Sequence, residues 1–329
     1  MESNFLETLD TKFAIGCLVQ WYEIDIIKEY TDSLKDAIKS YDGEVLVDMV
    51  LVLNQELEKT TLSQSEFDEI ERKIFEMFHD IQRVNDNCLV LVNSTKSLFT
   101  IADYRREFNN KHCTNADVLI WGESDMLVPK QMFTSLDVLH QSQSSSTPKY
   151  LATFGICKMW DKSWEPLEHA EFTSKPFIEN DYDNWWSLKY TMSIDEMNQF
   201  NDSVEDLDVR ITTDHKFNGC GLVISSEVIK AGVNIPKSVF FVHEDTAFML
   251  MTQKILGNIP QYIFKNILVV HNRNHPKKRE YVLGESGDTL NKKRRSNNWY
   301  VKANTYSEQN CYNIFNTNYK SKTWEDVWK

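Results

Sequence analysis

No apolar run in this sequence approaches the about 20 residues that a membrane-crossing helix requires. The opening residues Met1–Asp10 carry acids where a secretory leader carries a basic segment. These two absences predict a cytoplasmic protein with no membrane partner. Glycine and proline are scarce, 10 and 7 among 329 residues, which leaves little for flexible linkers and favours one folded unit over several strung together. Neither a P-loop nor a GxGxxG string occurs, so phosphate is not expected on either glycine-rich cradle, and kinases and dinucleotide oxidoreductases lose ground. The six cysteines, Cys17, Cys88, Cys113, Cys157, Cys220 and Cys311, show no CxxC spacing. They suit reduced, buried thiols better than a disulfide framework or a zinc site.

What is present belongs to a folded globular chain: 41% hydrophobic, 12% aromatic and 26% charged residues. The net charge of −13 disfavours non-specific contact with polyanions, but it is unevenly spread. From His271 to Lys329, twelve Lys/Arg stand against six Asp/Glu, a local +6 that leaves −19 for residues 1–270. Two basic clusters lie in that tail, Lys277-Lys278-Arg279 and Lys292-Lys293-Arg294-Arg295. They suit either plain solvation or contact with phosphates.

The apolar run Phe13–Val19 reads as a strand covered on both faces. A helix is predicted over about 22–38, a break at Asp42-Gly43 and a second strand over Val45–Leu53, ending at Asn54. Ser63 or Ser65 caps a further helix with Phe67, Ile70, Ile74, Met77 and Ile81 on one face. Strands follow at Cys88–Val92 and Asp117–Trp121, and the strand–helix alternation, without internal repeat, predicts an α/β fold with a mixed, mostly parallel sheet flanked by helices. Pro129 suits the first turn of the next helix, which ends before the polar loop 141–148. Further on, the pattern predicts strands at Tyr150–Ile156, Gly221–Ile224 and Tyr262–Val270, and helices at Glu227–Ala231 and Asp245–Leu256.

The string that says most about chemistry is the strand Asp117–Trp121 running into Glu123-Ser124-Asp125. In open α/β sheets ligands bind beyond the carboxyl ends of strands, which places Glu123 and Asp125 at the mouth of a site. Their oxygens suit Mg2+ or Mn2+, and a metal there would neutralise a diphosphate leaving group. A solvated turn explains an isolated acidic triplet equally simply. Trp185-Trp186 are candidates to stack on an acceptor sugar or base, or to pack in the core. His271 and His275 have the i,i+4 spacing of some zinc sites, but there is no HExxH string and Pro276 opposes a continuing helix. Asp245 is placed to N-cap the helix that follows it.

Four pieces in order resemble the GT-A nucleotide-sugar glycosyltransferases of the inverting, family-2-like kind. They are the opening strand and helix, the Arg-bearing segment Ile101–Glu107, the acidic triplet, and the Glu244-Asp245 pair opening a helix, together spanning about residues 13–256. The resemblance implies a single GT-A-like domain over 1–329, with 1–156 binding the nucleotide sugar and 157–329 the acceptor, the latter including the basic tail. It equates the triplet with the family's DxD motif, here with Glu first. By the same resemblance Arg105 or Arg106 contacts base or phosphate, Gln20 and Asn54 line the nucleoside pocket, and Gly219 and Gly221 form a turn beside donor and acceptor. His271 would be a third metal ligand, Asp245 the general base and Glu244 an acceptor-orienting group.

The implied activity is metal-dependent, inverting transfer of a hexosyl or pentosyl group from a nucleoside diphosphate sugar, a UDP-sugar first, to a hydroxyl acceptor. A hydroxymethylated DNA base, as in the phage enzymes that decorate viral DNA, would account for the basic tail and the paired tryptophans, and would place the protein in a host cytoplasm. A glycan or protein hydroxyl suits the overall acidity better. Two other classes stand beside these: a nucleotidyltransferase, although Val19–Glu23 lacks the glycine-rich basic loop expected there, and a non-catalytic nucleotide-sugar-binding protein.

Overall fold

The computed structural model describes residues 10–54, 62–156, 192–215, 219–272 and 298–329. The run that opens the sequence becomes β1 (Phe13–Gln20). Its alternation is hidden because both faces are apolar. Phe13, Ile15, Cys17 and Val19 enter one core cluster, while Ala14 and Leu18 enter another on the opposite face. Parallel partners flank β1: β2 (Val45–Val52) on one side, followed by β3 (Cys88–Thr95), and β4 (Val118–Trp121) on the other.

Beyond β4 the sheet changes direction. β8 (Leu222–Ser225) pairs antiparallel with β4, then β6 (Leu151–Ile156) pairs antiparallel with β8 and parallel with β9 (Gln261–His271). The short β5 (Met126–Leu127) and β7 (Val209–Thr212) both run antiparallel to β9. Among the described residues the strand order is β3-β2-β1-β4-β8-β6-β9-β5, with β7 also on β9. The expected mixed α/β sheet is therefore present, parallel through its first four strands.

α1 (Ile27–Lys39), α2 (Gln64–Gln82) and α4 (Met132–Gln143) cover one face, where Leu34, Phe67, Phe78 and Phe133 join the first core cluster. The expected helix from residue 22 begins later. Glu23 folds back to accept the Gln20 N–H at 2.8 Å, which winds Trp21–Glu23 into a 3-10 turn before α1 starts at Ile27. The expected first-turn Pro129 stands ahead of α4, whose Met132 N–H returns to the Pro129 carbonyl.

α3 (Ile101–His112) lies on the other face with α7 (Glu244–Leu256), packing Tyr104, Phe108 and Phe248 into the second cluster. Thr100 caps α3 in a reciprocal box with Asp103. At its far end Lys111 Nζ and His112 Nε2 reach the buried Asp48 of β2 at 2.6 and 2.9 Å. Burial works against the Asp48 carboxylate, but His112 and Lys111 hold its pKa below the ordinary value.

α5 (Ile194–Asp202) packs on β9, and α6 (Ser226–Lys230) continues from β8. The end of the chain, expected only as a polar tail, forms α8 (Asn298–Tyr312) and α9 (Trp324–Trp328). Their Trp299, Tyr300 and Trp324 pack on Phe240 and Phe241, just ahead of α7. No described helix is long and apolar enough to cross a membrane. The five described cysteines are buried and unbridged.

Candidate active site

The last bond of the β1–β4 ladder is the Gly122 N–H to the Gly16 carbonyl at 2.7 Å, and the chain leaves the sheet after it. Glu123-Ser124-Asp125 occupy that turn, and the chain then enters β5. The β5–β9 pairing sets Met126 opposite His271, and the Asn272 N–H donates to the Asp125 carbonyl at 2.8 Å. Strand register thus delivers a histidine from 146 residues downstream of Asp125 to the acidic turn. β8 completes the arrangement. Its antiparallel pairing opposes Leu222 to Trp121, so Gly219-Cys220-Gly221 arrive at the same strand end.

His271 Nε2 is the hub. It lies 3.0 Å from Glu123 Oε2 and 3.4 Å from Asp125 Oδ2. One carboxylate oxygen of Glu123, Cys220 Sγ and an imidazole nitrogen of His271 all fall within 4.8 Å of one another. Asp125 is a correction to the exposed carboxylate a turn would suggest: its side chain is 0% exposed. This grouping of O, N and S donors fits a divalent ion, which His271 would ligate as the neutral imidazole. Burial opposes charge on His271, yet Cys220, Asp125 and Glu123 favour it and the net direction is upward. Burial likewise pushes Glu123 up, but His271 and Arg105 outweigh it and hold this carboxylate far below its ordinary value.

Arg105 of α3 joins this acidic group to a second one. Its side chain is 2% exposed; Nη2 donates to Glu123 Oε1 at 2.7 Å and to the Gly219 carbonyl at 2.9 Å, and Nη1 donates to Glu244 Oε1 at 2.5 Å. The guanidinium also stacks over Trp121, 4.7 Å from the ring centre. Burial drives the Glu244 carboxyl up to about 7, more than Arg105 draws it down, with Asp245 and Glu123 adding to the rise. Glu244 is thus committed to Arg105. Asp245, next along α7, uses Oδ1 to accept the Thr246 N–H at 2.6 Å. Its Oδ2 points toward the Gly219 turn, 3.3 Å from where a Cβ on that glycine would stand.

Two glycines have separate reasons. A Cβ on Gly219 would lie 2.7 Å from Arg105 Nη1, a collision with the buried guanidinium. Gly221 has φ +68°, the left-handed region, which lets its N–H reach the Trp121 carbonyl at 2.8 Å. His243, just before α7, has φ 67° and is the one non-glycine residue with positive φ among the described residues. That conformation aims the start of α7 at the site and costs about 1–3 kcal/mol, which the surrounding contacts must offset.

Arg106 is placed elsewhere. Its guanidinium donates to the Ile235, Pro236 and Val239 carbonyls at 2.9, 3.1 and 2.7 Å, fixing the segment that leads to α7. Asn54 is buried at the end of β2 and donates to the Lys96 carbonyl at 3.2 Å. Gln20 connects indirectly, since Glu23, bonded to its N–H, also accepts from Ser124 Oγ at 2.8 Å. Trp185, Trp186, His275 and both basic clusters lie outside the described residues. Glu23 and Cys220 are members of the site that sequence reasoning did not assign to it. The Gln20/Glu23 capping spacing and the flanking glycines of Cys220 were the available signals.

No protein-family model matches the chain, and no curated protein sequence does. Among solved structures, the 1–349 fragment of S. aureus TarS aligns over 96% of this chain and 77% of its own length, with 10% identity and a TM-score of 0.43. A longer S. aureus TarS chain aligns over 78% of this chain, which spans only 36% of it (11% identity, TM-score 0.42). Glucosyl-3-phosphoglycerate synthase from Mycobacterium tuberculosis, in complex with Mn2+, UDP and glucosyl-3-phosphoglycerate, aligns over 90% of this chain and 80% of its own (13% identity, TM-score 0.42).

Proposed function

We propose that this chain is a metal-dependent, inverting glycosyltransferase that moves a sugar from a nucleoside diphosphate sugar, a UDP-sugar first, to a hydroxyl acceptor. One observation carries the reading. The strand-end carboxylates and the Glu-Asp start of α7 meet at a single buried arginine, 18 residues from Glu123 and 139 from Glu244 in sequence. Glu123, Asp125 and His271 would hold Mn2+ or Mg2+, and the bound ion would supply charge neutralisation for the departing diphosphate. Asp245 then faces the same space from α7, where its carboxylate takes the acceptor proton as the hydroxyl attacks the anomeric carbon. Arg105 and Glu244 position these groups. The reading assigns residues 1–156 to the donor and 157–329 to the acceptor.

The test is calorimetry with UDP-sugars in Mn2+ or Mg2+ and in EDTA. Asp125→Asn keeps the shape of this buried side chain and removes its charge. It should weaken metal-dependent donor binding by more than about 100-fold, beyond the roughly 10–100-fold lost with an outer-shell partner. Unchanged donor affinity and metal dependence would remove Asp125 from the site.

For the acceptor, the two basic clusters of the tail favour a hydroxymethylated DNA base. Changing Lys292, Lys293, Arg294 and Arg295 together to Gln should flatten the salt dependence of DNA binding by about 0.9 in log–log slope per lost phosphate contact. Transfer to a free nucleoside should survive. A native protein with no salt-sensitive DNA binding would make a glycan hydroxyl the acceptor to pursue.

A further inference from the structure

Cys220 differs from its fellow thiols in what it faces. Cys17 and Cys113 direct Sγ at the backbone carbonyls of Leu18 and Asn110. Cys220 instead faces His271 and Glu123, its Sγ lying with a nitrogen of the one and a carboxylate oxygen of the other within 4.8 Å of one another. The turn that carries it is held on both sides. The Gly219 carbonyl accepts from Arg105, the Gly221 N–H is bonded to the end of β4, and Gly219 excludes any side chain that would push the turn away.

We propose that Cys220 is a protein ligand of the divalent ion in this site, through Sγ, so that the site takes Mn2+, Co2+ or Zn2+ in preference to Mg2+. The inference rests on the metal-dependent reading above and deepens it. Thiolate is a soft donor, and Mg2+ favours oxygen ligands in near-ideal octahedral geometry, so a sulfur among the ligands works against it. Binding releases the thiol proton to solvent, because the thiolate is the ligating form. The anionic donors Glu123, Asp125 and Cys220 together exceed the charge of a divalent ion by one. Arg105, 2.7 Å from Glu123 and shared with Glu244, offsets part of that excess.

The experiment adds Co2+ to the native full chain with UDP present and records its absorption spectrum. A near-ultraviolet sulfur-to-cobalt charge-transfer band should accompany the visible d–d bands. At saturating Co2+, Cys220→Ser should abolish the charge-transfer band and keep the d–d bands, and it should weaken Co2+ binding by more than the roughly 10–100-fold lost with an outer-shell partner, with a smaller change for Mg2+ in competition. Cys220→Ala gives a second variant should the serine not fold, as judged by near-ultraviolet circular dichroism, and the native spectrum is decisive without either. Visible d–d bands with no charge-transfer band in the native protein, or a band that survives both substitutions, would overturn the Cys220 assignment and leave the carboxylate–histidine site standing. Failure of the native chain to take up Co2+ would overturn both.

Discussion

Replacing Asp245 with Asn is expected to slow sugar transfer by about 10²–10⁴-fold, the usual effect of losing a general base, with little change in donor affinity. The substitution is mild for the fold. An Asn side-chain oxygen can still accept the Thr246 N–H now held by Oδ1 at 2.6 Å, so the first turn of α7 keeps its bond. What disappears is a carboxylate able to accept a proton beside Gly219 and Glu123. Single-turnover transfer and donor titration, measured on the same preparation, separate the two effects. Transfer at the native rate would show that Asp245 is not the base, and a parallel loss of donor affinity would place it in binding instead.

The second large effect concerns Arg105. Arg105→Leu leaves Glu244, and in part Glu123, without the cation that compensates them in a buried position. Breaking such a buried pair costs about 3–5 kcal/mol, readable as a fall in the denaturant midpoint at unchanged slope. The pH dependence has a definite sign. Burial already holds the Glu244 carboxyl at about 7, against an ordinary 4.5, and Arg105 opposes that rise. Without Arg105 the folded-state pKa climbs further, so this group favours folding fully below about 4.5 and loses that contribution as pH rises through the raised value. The variant's deficit should therefore be greater at pH 8 than at pH 5. Arg105→Leu combined with Glu244→Leu should recover part of the loss, since an apolar pair replaces a lone buried charge. A single variant as stable as the native chain at pH 8 would mean that Arg105 does not hold the site together.

Much of the site was legible because its members stand where an apolar pattern stops. The run of β4 ends at Glu123-Ser124-Asp125, that of β9 ends at His271, and Glu244-Asp245 open a helix. Period and punctuation mark such positions. The choice between Arg105 and Arg106 was not legible, because adjacent helical residues differ by about 100° around the axis and only packing decides which enters the site. The two-residue β5 is too short to show a period, yet it alone sets His271 opposite Met126. Cys220 reads as core by composition, and only the antiparallel arrival of β8 turns it toward His271. The aromatic packing of α8 and α9 on Phe240 and Phe241 joins residues about 60–85 apart, a separation at which local patterning carries no information.

α3 also limits how the protein can change. Four of its positions point to four different places: Thr100 at its cap donates to the Phe240 carbonyl, Arg105 enters the acidic site, Arg106 holds the 235–239 segment, and Asn109 accepts from the Trp121 indole. Loss or gain of one residue between Thr100 and Asn109 would rotate the remainder of the helix by about 100° and shift it about 1.5 Å, detaching several of these contacts at once. Side chains there can be exchanged one by one, but the spacing cannot drift. Insertions and deletions should therefore accumulate in the connecting loops, while this ten-residue stretch of chain keeps its length.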